Sequence, residues 1–192
     1  MTVKQRLKQA LSLRQKQNFV ATDQHVSAAV LLPIYCKEKQ YYILFTKRTE
    51  KVDKHKGQIC FPGGAYEEED GTLVNTALRE CAEEIGLVAD DIEVLGELDG
   101  TVTVASGYIV SAFVGLISRP HTFKIDHREV DEIIEVPISA LLDKGCLHEE
   151  IRFRDGEAIT SHFYHYQETI IWGATARILT QFLDIFACVV EE

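Results

Sequence analysis

The chain has 192 residues, nearly half of them apolar and about a quarter charged, which is the size and composition of one globular domain. Its net charge of −10 argues against general nucleic-acid binding, because proteins that bind phosphate backbones present a basic face. Five scattered cysteines without a Cys-x-x-Cys pair argue against a disulfide-held scaffold and against a zinc site. We find neither an apolar signal-peptide core nor a membrane-spanning run, so we expect a cytoplasmic protein without a membrane partner.

Apolar periodicity and turn residues predict an irregular alternation of helices and strands. In chain order the predicted elements are a helix at 2–17, strands at 28–35 and 41–46 joined by a hairpin at 36–40, a short strand at 58–62, a helix at 73–85, strands at 92–98, 108–117 and 133–136, a short helix at 137–142, strands at 151–153 and 163–166, and a helix at 174–186. This order favours an α/β fold with a mixed sheet and helices on both faces. We expect residues 1–24 to form an N-terminal helical extension and residues 25–192 to form the main domain.

One short segment is basic although the whole chain is acidic. Between positions 47 and 56 the acidic residues are Glu50 and Asp53. The basic residues there are Lys47, Arg48, Lys51, Lys54, His55 and Lys56. Such a segment is either a solvated loop or a rim that binds the phosphates of a substrate. Spacing alone favours the solvated loop, and the residues that follow the segment decide between the two.

The predicted helix at 73–85 combines an apolar face with an acidic border. At about 100° per residue, its apolar side chains fall on one arc, which we expect to face the sheet. They are Leu73, Val74, Ala77, Leu78, Cys81 and Ile85. Glu80, Glu83 and Glu84 lie along one border of that arc, and Arg79 is spaced to pair with Glu83. Adjacent like charges of this kind indicate either a solvated acidic surface or a bound cation.

The residues that flank this helix favour the bound cation. Gly63 and Gly64 follow a short strand, where bare backbone can turn tightly and approach an ion or a phosphate. Asp70 or Thr72 can cap the start of the helix, and Gly86 can end it with a left-handed residue. A strand, a glycine turn and an acid-edged helix in this order suit Mg²⁺, which prefers oxygen ligands.

The stretch from Phe61 to Leu87 resembles the Nudix box, written G-x5-E-x7-R-E-U-x-E-E-x-G-U, where U is apolar. Gly64 and the run from Arg79 to Leu87 match its two ends. In the middle, Asp70 stands where the first Glu is expected, and eight residues instead of seven separate it from Arg79.

This resemblance implies an α/β/α sandwich and metal-dependent hydrolysis of a pyrophosphate bond in a small-molecule nucleotide. The cofactor would be Mg²⁺ or Mn²⁺, bound by Glu80 and Glu84, with Glu83 and the Gly64 carbonyl as further ligands. Arg79 and Glu83 would be the catalytic residues. For the assembly, a homodimer is left open.

Proton removal from the attacking water requires a carboxylate or a metal-bound hydroxide. Glu83 is one candidate for this base. A second acidic group near position 130 provides others, although these residues also fit solvated loop charge. They are Glu129, Asp131, Glu132 and Glu135.

Three further features resemble the coenzyme A pyrophosphatase branch of the family. The one-residue insertion in the box is one of them. The segments 44–48 and 57–61 match the branch's upstream motif, and residues 171–176, Ile-Trp-Gly-Ala-Thr-Ala, match a motif near its C-terminus. The implied substrate is coenzyme A or an acyl-CoA, cleaved to phosphopantetheine and adenosine 3′,5′-bisphosphate. Its phosphates would contact Arg48, Lys51, Lys54, Lys56 and Gly63.

Two departures leave other substrates open. Thr49 stands where the branch has Ser or Ala, and Asp53 stands where it has a second Arg. ADP-ribose, NADH, a dinucleoside polyphosphate or a damaged nucleoside triphosphate are therefore alternatives, as is a Nudix-fold binding module without catalysis. Outside the box, His162 and His165 fall on opposite faces of a strand and are expected to be structural or surface residues. Trp172 is expected in the core.

Overall fold

The computed structural model describes residues 1–15, 25–50, 56–103, 107–118, 122–154 and 157–191. The helices within these residues are α1 (Val3–Leu13), α2 (Leu73–Ile85), α3 (Ile138–Leu141) and α4 (Gly173–Glu191). The strands are β1 (Val26–Lys37), β2 (Gln40–Arg48), β3 (Ile59–Cys60), β4 (Gly63–Ala65), β5 (Ile92–Glu97), β6 (Thr101–Val102), β7 (Tyr108–Ile117), β8 (Val130–Pro137), β9 (Leu147–Arg154), β10 (Glu157–Tyr166) and β11 (Thr169–Ile171). The predicted helix at 73–85 and the predicted strand at 108–117 coincide with α2 and β7.

The main sheet is mixed, as the sequence predicts. Its central order is β3-β2-β1-β7-β5, with β4 paired to β1, β6 to β7 and β8 to β2. β1 runs parallel to β7, and the other pairs are antiparallel. The predicted hairpin joins β1 to β2 through Glu38 and Lys39, whose φ angles of 53° and 67° are those of a type I′ turn.

Alternate residues of β1 pack against helices on the two faces of this sheet. Ala29 and Leu31 face α2 and join Ala77, Cys81 and Ile85 in one buried cluster. Leu32 and Ile34 join the other cluster, which includes buried residues of α1, α3 and α4. Because side chains alternate along a strand, β1 is covered on both sides. This arrangement confirms the expected α/β/α sandwich.

A second sheet, not predicted as a separate layer, consists of β11-β10-β9 in antiparallel order. Its Tyr164 and Ile171 are buried in the larger cluster, and Tyr164 contacts the Thr180 hydroxyl of α4 at 2.9 Å. Further along the hairpin, Phe153 is 79% exposed. Trp172, just before α4, is 45% exposed, so its prediction as a core residue is wrong: the turn into α4 leaves half of the indole in solvent.

The N-terminal helix is packed into the domain. The Thr2 hydroxyl accepts a hydrogen bond from the Gln5 amide, and the Gln5 side chain accepts one from the Thr2 amide, which forms a capping box. Leu7 and Leu11 of α1 are buried in the cluster that contains α4. The boundary at residue 24 itself stays a prediction.

The last helix, α4, is long and apolar enough to cross a membrane by length and composition, contrary to the expectation that the chain has no such run. Its Ile178, Leu179 and Phe182 are buried against α1 and the sheet. One face of α4 therefore packs in the core of the domain.

Candidate active site

Two caps fix the limits of α2 and so the position of its acidic border. The Thr72 hydroxyl accepts a hydrogen bond from the Asn75 amide at 3.3 Å and caps the first turn. At the other end Gly86 takes the left-handed conformation at φ 70°, and its amide bonds back to the helix. Of the two capping residues that the sequence allows, the structure uses Thr72.

The glycine pair forms β4 and lies between β1 and the acidic border. Gly63 pairs with Val30 and Gly64 with Ala29. A Cβ atom on Gly63 would lie 2.3 Å from the Ala29 carbonyl oxygen, and one on Gly64 would lie 2.3 Å from Oε1 of Glu80. The first glycine therefore permits close packing of two strands, and the second permits contact between backbone and carboxylate.

Arg79 connects the carboxylates of this region. Its Nη1 donates to Glu80 Oε1 and to Glu83 Oε2, both at 2.9 Å, and its Nη2 donates to the Ala65 carbonyl at 3.0 Å. The predicted pair with Glu83 is present. The guanidinium also bonds Glu80, which the sequence predicts only as a metal ligand, because both carboxylates lie beside the same helical turn.

Asp70 holds the other side of Arg79. Its carboxylate accepts from Arg79 Nε at 2.8 Å, from Arg79 Nη2 at 3.2 Å and from the Thr76 hydroxyl at 2.8 Å. These bonds, led by the one from Arg79, hold the pKa of Asp70 far below its usual range. The sequence predicts Asp70 as a helix cap or as the replacement for a box glutamate. The structure shows in addition that Asp70 holds the Arg79 guanidinium in place.

Glu84 is the buried carboxylate of the site. Its side chain is 3% exposed, and Oε2 has no hydrogen-bond partner among the described residues. Burial raises the pKa of Glu84 to about 8; Glu80 and Glu129 add to the shift, whereas Arg48 and the Gly63 amide oppose it. Burial also raises the pKa of Glu80. A buried, unpaired oxygen beside a second carboxylate is chemically suited to a cation.

The loop that leads into β8 brings Glu129 to the same region. The amides of Lys124 and Asp126 donate to the carbonyls of Ile85 and Glu84, both at 2.9 Å. The Thr49 amide donates to the Glu129 carbonyl at 2.9 Å, and its hydroxyl donates to the Arg128 carbonyl at 3.1 Å.

Of the four acidic residues near position 130, Glu129 adds to the raised pKa of both Glu80 and Glu84. Asp131 and Glu132 instead pair with Lys47, at 3.7 and 3.0 Å, on another part of β2. Sequence spacing contained no signal that separates Glu129 from its neighbours.

The residues that are predicted to contact phosphate lie in different surroundings. The guanidinium of Arg48 lies 3.8 Å from Glu84 and 3.9 Å from Glu129. Lys56 is exposed, and Gly63 lies in β4. Lys51, Lys54 and Asp53 lie outside the described residues.

A model of the NUDIX domain matches residues 24–154, which is more than half of the chain and includes every acidic residue described above. The chain belongs to the Nudix family. A relative from Photorhabdus laumondii, described as an uncharacterized Nudix hydrolase NudL, is 38% identical over 160 residues, which cover 83% of this chain and 84% of the relative. The protein is accordingly a Nudix hydrolase.

Two solved structures show the same fold. A MutT/nudix family protein from Enterococcus faecalis has a TM-score of 0.60 and 14% identity, and the match covers 92% of this chain and 66% of that protein. The NUDIX domain of NrtR from Shewanella oneidensis, solved with ADP ribose, has a TM-score of 0.50 and 23% identity over 65% of this chain and 78% of that one. At these identities the likeness concerns the fold alone.

Nudix enzymes act with divalent metal ions, and the residues of this site are compatible with one. Among the described residues, no three His, Cys, Asp or Glu side chains are gathered closely enough to hold an ion by themselves. A metal at Glu80 and Glu84 would therefore also need backbone oxygen, such as the Gly64 carbonyl, and water. Mg²⁺ commonly binds in this way, through one or two carboxylates and several waters.

His162 and His165 lie on opposite faces of β10, as the sequence predicts. His162 contacts Glu149 at 3.1 Å and the Thr180 hydroxyl at 3.3 Å. His165 instead packs edge-on against His148, with ring centroids 4.5 Å apart. With Phe163 and Trp172, these two rings border a cavity of about 580 Å³ on the other face of the second sheet.

Proposed function

We propose that this Nudix hydrolase cleaves the pyrophosphate bond of coenzyme A or an acyl-CoA, giving phosphopantetheine and adenosine 3′,5′-bisphosphate. The observation that carries the hydrolytic part is the buried Glu84, whose unpaired oxygen lies on the acidic border of α2. The segments at 44–48, 57–61 and 171–176 support the choice of coenzyme A, because they resemble that branch of the family.

The metal, Mg²⁺ or Mn²⁺, would be held by Glu80, Glu84 and the Gly64 carbonyl. When bound it supplies charge neutralisation at the pyrophosphate and lowers the pKa of an attacking water. The protein's own residues orient the acidic side chains and hold the phosphates of the substrate.

Arg79 orients the acids, because its guanidinium is fixed by Asp70 and bonds Glu80 and Glu83 directly. Glu83 and Glu129 are the two carboxylates proposed to accept the proton of the attacking water. Glu83 is largely exposed and bonds Arg79. Glu129 also reaches solvent and is placed by the loop bonds to Thr49. Activity of the Glu83→Gln and Glu129→Gln variants as a function of pH distinguishes them, since loss of the base removes the acidic limb of the profile.

The phosphates would be held by Arg48, Lys51, Lys54 and Lys56, and the backbone at Gly63 would allow their close approach. We place the enzyme in the cytoplasm, acting on a free nucleotide. Light scattering during gel filtration tests the homodimer raised above.

Product analysis tests the substrate. The purified protein is incubated with Mg²⁺ or Mn²⁺ and, separately, with coenzyme A, ADP-ribose, NADH and a dinucleoside polyphosphate. We expect adenosine 3′,5′-bisphosphate from coenzyme A at a rate well above the other cleavages. Cleavage of another substrate alone would reject coenzyme A and keep the chemistry. No cleavage of any substrate would favour the binding module.

The Glu84→Gln variant tests the metal site. It keeps the size of the side chain but removes the charge that a cation needs, so we expect turnover to be abolished while the circular dichroism spectrum is unchanged. Glu132→Gln, which removes an equal charge beside Lys47, is the matched control and should retain activity. Near-wild-type, metal-dependent turnover by Glu84→Gln would reject this assignment.

A further inference from the structure

Arg48 ends β2 on the face that carries the catalytic helix. Leu44 packs in the α2 cluster, and Arg48 lies four residues later on the same face of the strand. Lys47 belongs to the opposite face and pairs with Glu132 directly across β8. The register between β2 and β8 shifts at this point: Lys47 lies opposite Glu132 and Arg48 lies opposite Val130. The extra residue, Asp131, therefore belongs to β8, and the alternation of side chains along β2 continues to Arg48.

The guanidinium of Arg48 lies between two carboxylates without hydrogen-bonding either. Its Nη1 is 3.8 Å from Glu84 Oε1 and its Nη2 is 3.9 Å from Glu129 Oε2, whereas an N–H···O hydrogen bond needs about 3.2 Å or less. Its Nε and the Oε2 atom of Glu84 are both buried without a hydrogen-bond partner among the described residues. Charge attraction therefore accounts for this contact.

Arg79, in the same site, is held in place by hydrogen bonds. It makes hydrogen bonds of 2.8 to 3.2 Å to Asp70, Glu80, Glu83 and the Ala65 carbonyl. Moving Arg79 would break all of them. Arg48 makes no hydrogen bond to the carboxylates of Glu84 and Glu129, and its side-chain hydrogen bond is with the weakly polar thiol of Cys60. Of the two guanidinium groups, Arg48 is thus the one held less tightly.

We propose that Arg48 is an internal counter-cation: while no metal is bound it lies against Glu84 and balances the charge of this carboxylate when it ionises, and it leaves Glu84 for a substrate phosphate when a divalent ion binds there. The inference rests on the proposed metal site at Glu80 and Glu84. It assigns to Arg48, beyond phosphate contact, the task of coupling metal binding to phosphate binding. The reason is electrostatic, because two cations at one buried carboxylate repel each other strongly at low dielectric.

The test measures metal affinity without substrate. Free Mn²⁺ is followed by electron paramagnetic resonance in titrations of the wild type and the Arg48→Gln, Arg48→Lys, Lys47→Gln and Glu84→Gln variants. Since Arg48→Gln removes the competing charge, we expect it to bind Mn²⁺ roughly tenfold more tightly than the wild type. Arg48→Lys keeps the charge and should stay within about threefold of the wild type. Lys47→Gln removes an equal charge on the other strand face and should change the affinity by less than about twofold.

The outcomes separate this inference from the proposed function. If Glu84→Gln loses Mn²⁺ binding while Arg48→Gln binds with unchanged or weaker affinity, the metal site stands and the counter-cation is rejected. Equal tightening by Lys47→Gln would also reject it, since net charge alone would then explain the effect. A wild type that binds no Mn²⁺ would overturn both ideas.

A second measurement follows metal binding in the unaltered protein and uses a variant only to assign one signal. The ¹⁵N NMR signal of the Arg48 Nε–H group is assigned by its absence from Arg48→Lys. We expect Mg²⁺ to shift this signal and to leave the Arg79 Nε–H signal, bonded to Asp70, nearly in place. An Arg48 signal that does not respond to saturating Mg²⁺ would contradict the displacement.

Discussion

At the scale of single residues, Arg79 and its partner Asp70 give the acidic border of α2 its order. Three side-chain donors converge on the Asp70 carboxylate, two of them from Arg79 and one from Thr76. Aspartate is one methylene shorter than the glutamate expected in the box, and one extra residue separates it from Arg79. The hydrogen bonds show that this combination still brings carboxylate and guanidinium together.

The Asp70→Asn variant measures how much this orientation contributes. The amide cannot accept two charged hydrogen bonds as the carboxylate does, so Arg79 should lose its fixed position beside Glu80 and Glu83. We expect kcat to fall by roughly ten- to a hundredfold with little change in KM. Glu67→Gln is the control, because Glu67 is exposed and 3.9 Å from Arg79; it should remain within about twofold. Equal effects of the two variants would contradict the role of Asp70.

Glu84 provides a prediction about pH. Its pKa, raised from 4.5 to about 8, means that the folded protein binds a proton more tightly than the unfolded chain does. The contribution of Glu84 to the free energy of unfolding therefore falls as pH rises from about 4.5 to 8, and the loss is complete above that range. In EDTA, urea denaturation should show that the free energy of unfolding of Glu84→Gln rises relative to that of the wild type by roughly 3 to 4 kcal/mol between pH 5 and 8. A difference that is independent of pH would exclude the raised pKa.

At the scale of elements, the site is a junction between α2, β4 and the loop that leads to β8. The helix contributes the acids, the strand contributes bare backbone, and the loop is tied to the last turn of α2 by the bonds of Lys124 and Asp126. None of these elements would form the site alone, because each contributes a different kind of ligand or support.

The two adjacent glycines of β4 should respond differently to substitution by alanine. Gly63 has a φ of 155° and abuts the backbone of β1, so Gly63→Ala should lower the free energy of unfolding by about 2 to 3 kcal/mol. Gly64 abuts the Glu80 carboxylate instead. Gly64→Ala should therefore keep most of the stability and reduce turnover by roughly a hundredfold. Denaturation curves and initial rates for both variants check the contrast, which would fail if both lost stability alike.

At the scale of the whole molecule, the domain is a sandwich in which α2 covers one face of the main sheet, and α1 and α4 contribute to the other. The first helix, α1, was predicted as an extension. Its buried leucines belong to the same hydrophobic cluster as α4. Its contribution should therefore be to stability, away from the acidic residues of α2.

Substitutions of two leucines test whether α1 contributes to stability. Leu7 is fully buried, and Leu7→Ala should cost about 2 to 5 kcal/mol of the free energy of unfolding because a cavity remains. Leu13 is 74% exposed on the same helix, and Leu13→Ala should change stability by less than about 0.5 kcal/mol. Thermal denaturation compares them, with activity at low temperature as the check that the site is intact. A neutral Leu7→Ala would show that α1 is not part of the core.

The sequence by itself determined the elements that have a strong internal pattern. The helix at 73–85 and the strand at 108–117 were predicted to the residue, because periodicity and caps are local properties. The family followed from the box residues, which lie within one short stretch. The strands β4, β6 and β11 were not predicted as such, since they have two or three residues each and exist through pairing with distant partners.

Only the tertiary structure decided which charges share an environment. Lys47 and Arg48 are neighbours in the chain, yet one pairs with exposed acids across β8 and the other faces buried Glu84. Glu84 is itself one of three similar glutamates in sequence, and its burial follows from packing between α2, β4 and the loop before β8. Electrostatic effects depend on distance and burial, which a sequence pattern does not contain, so these residue roles emerged only when the chain was folded.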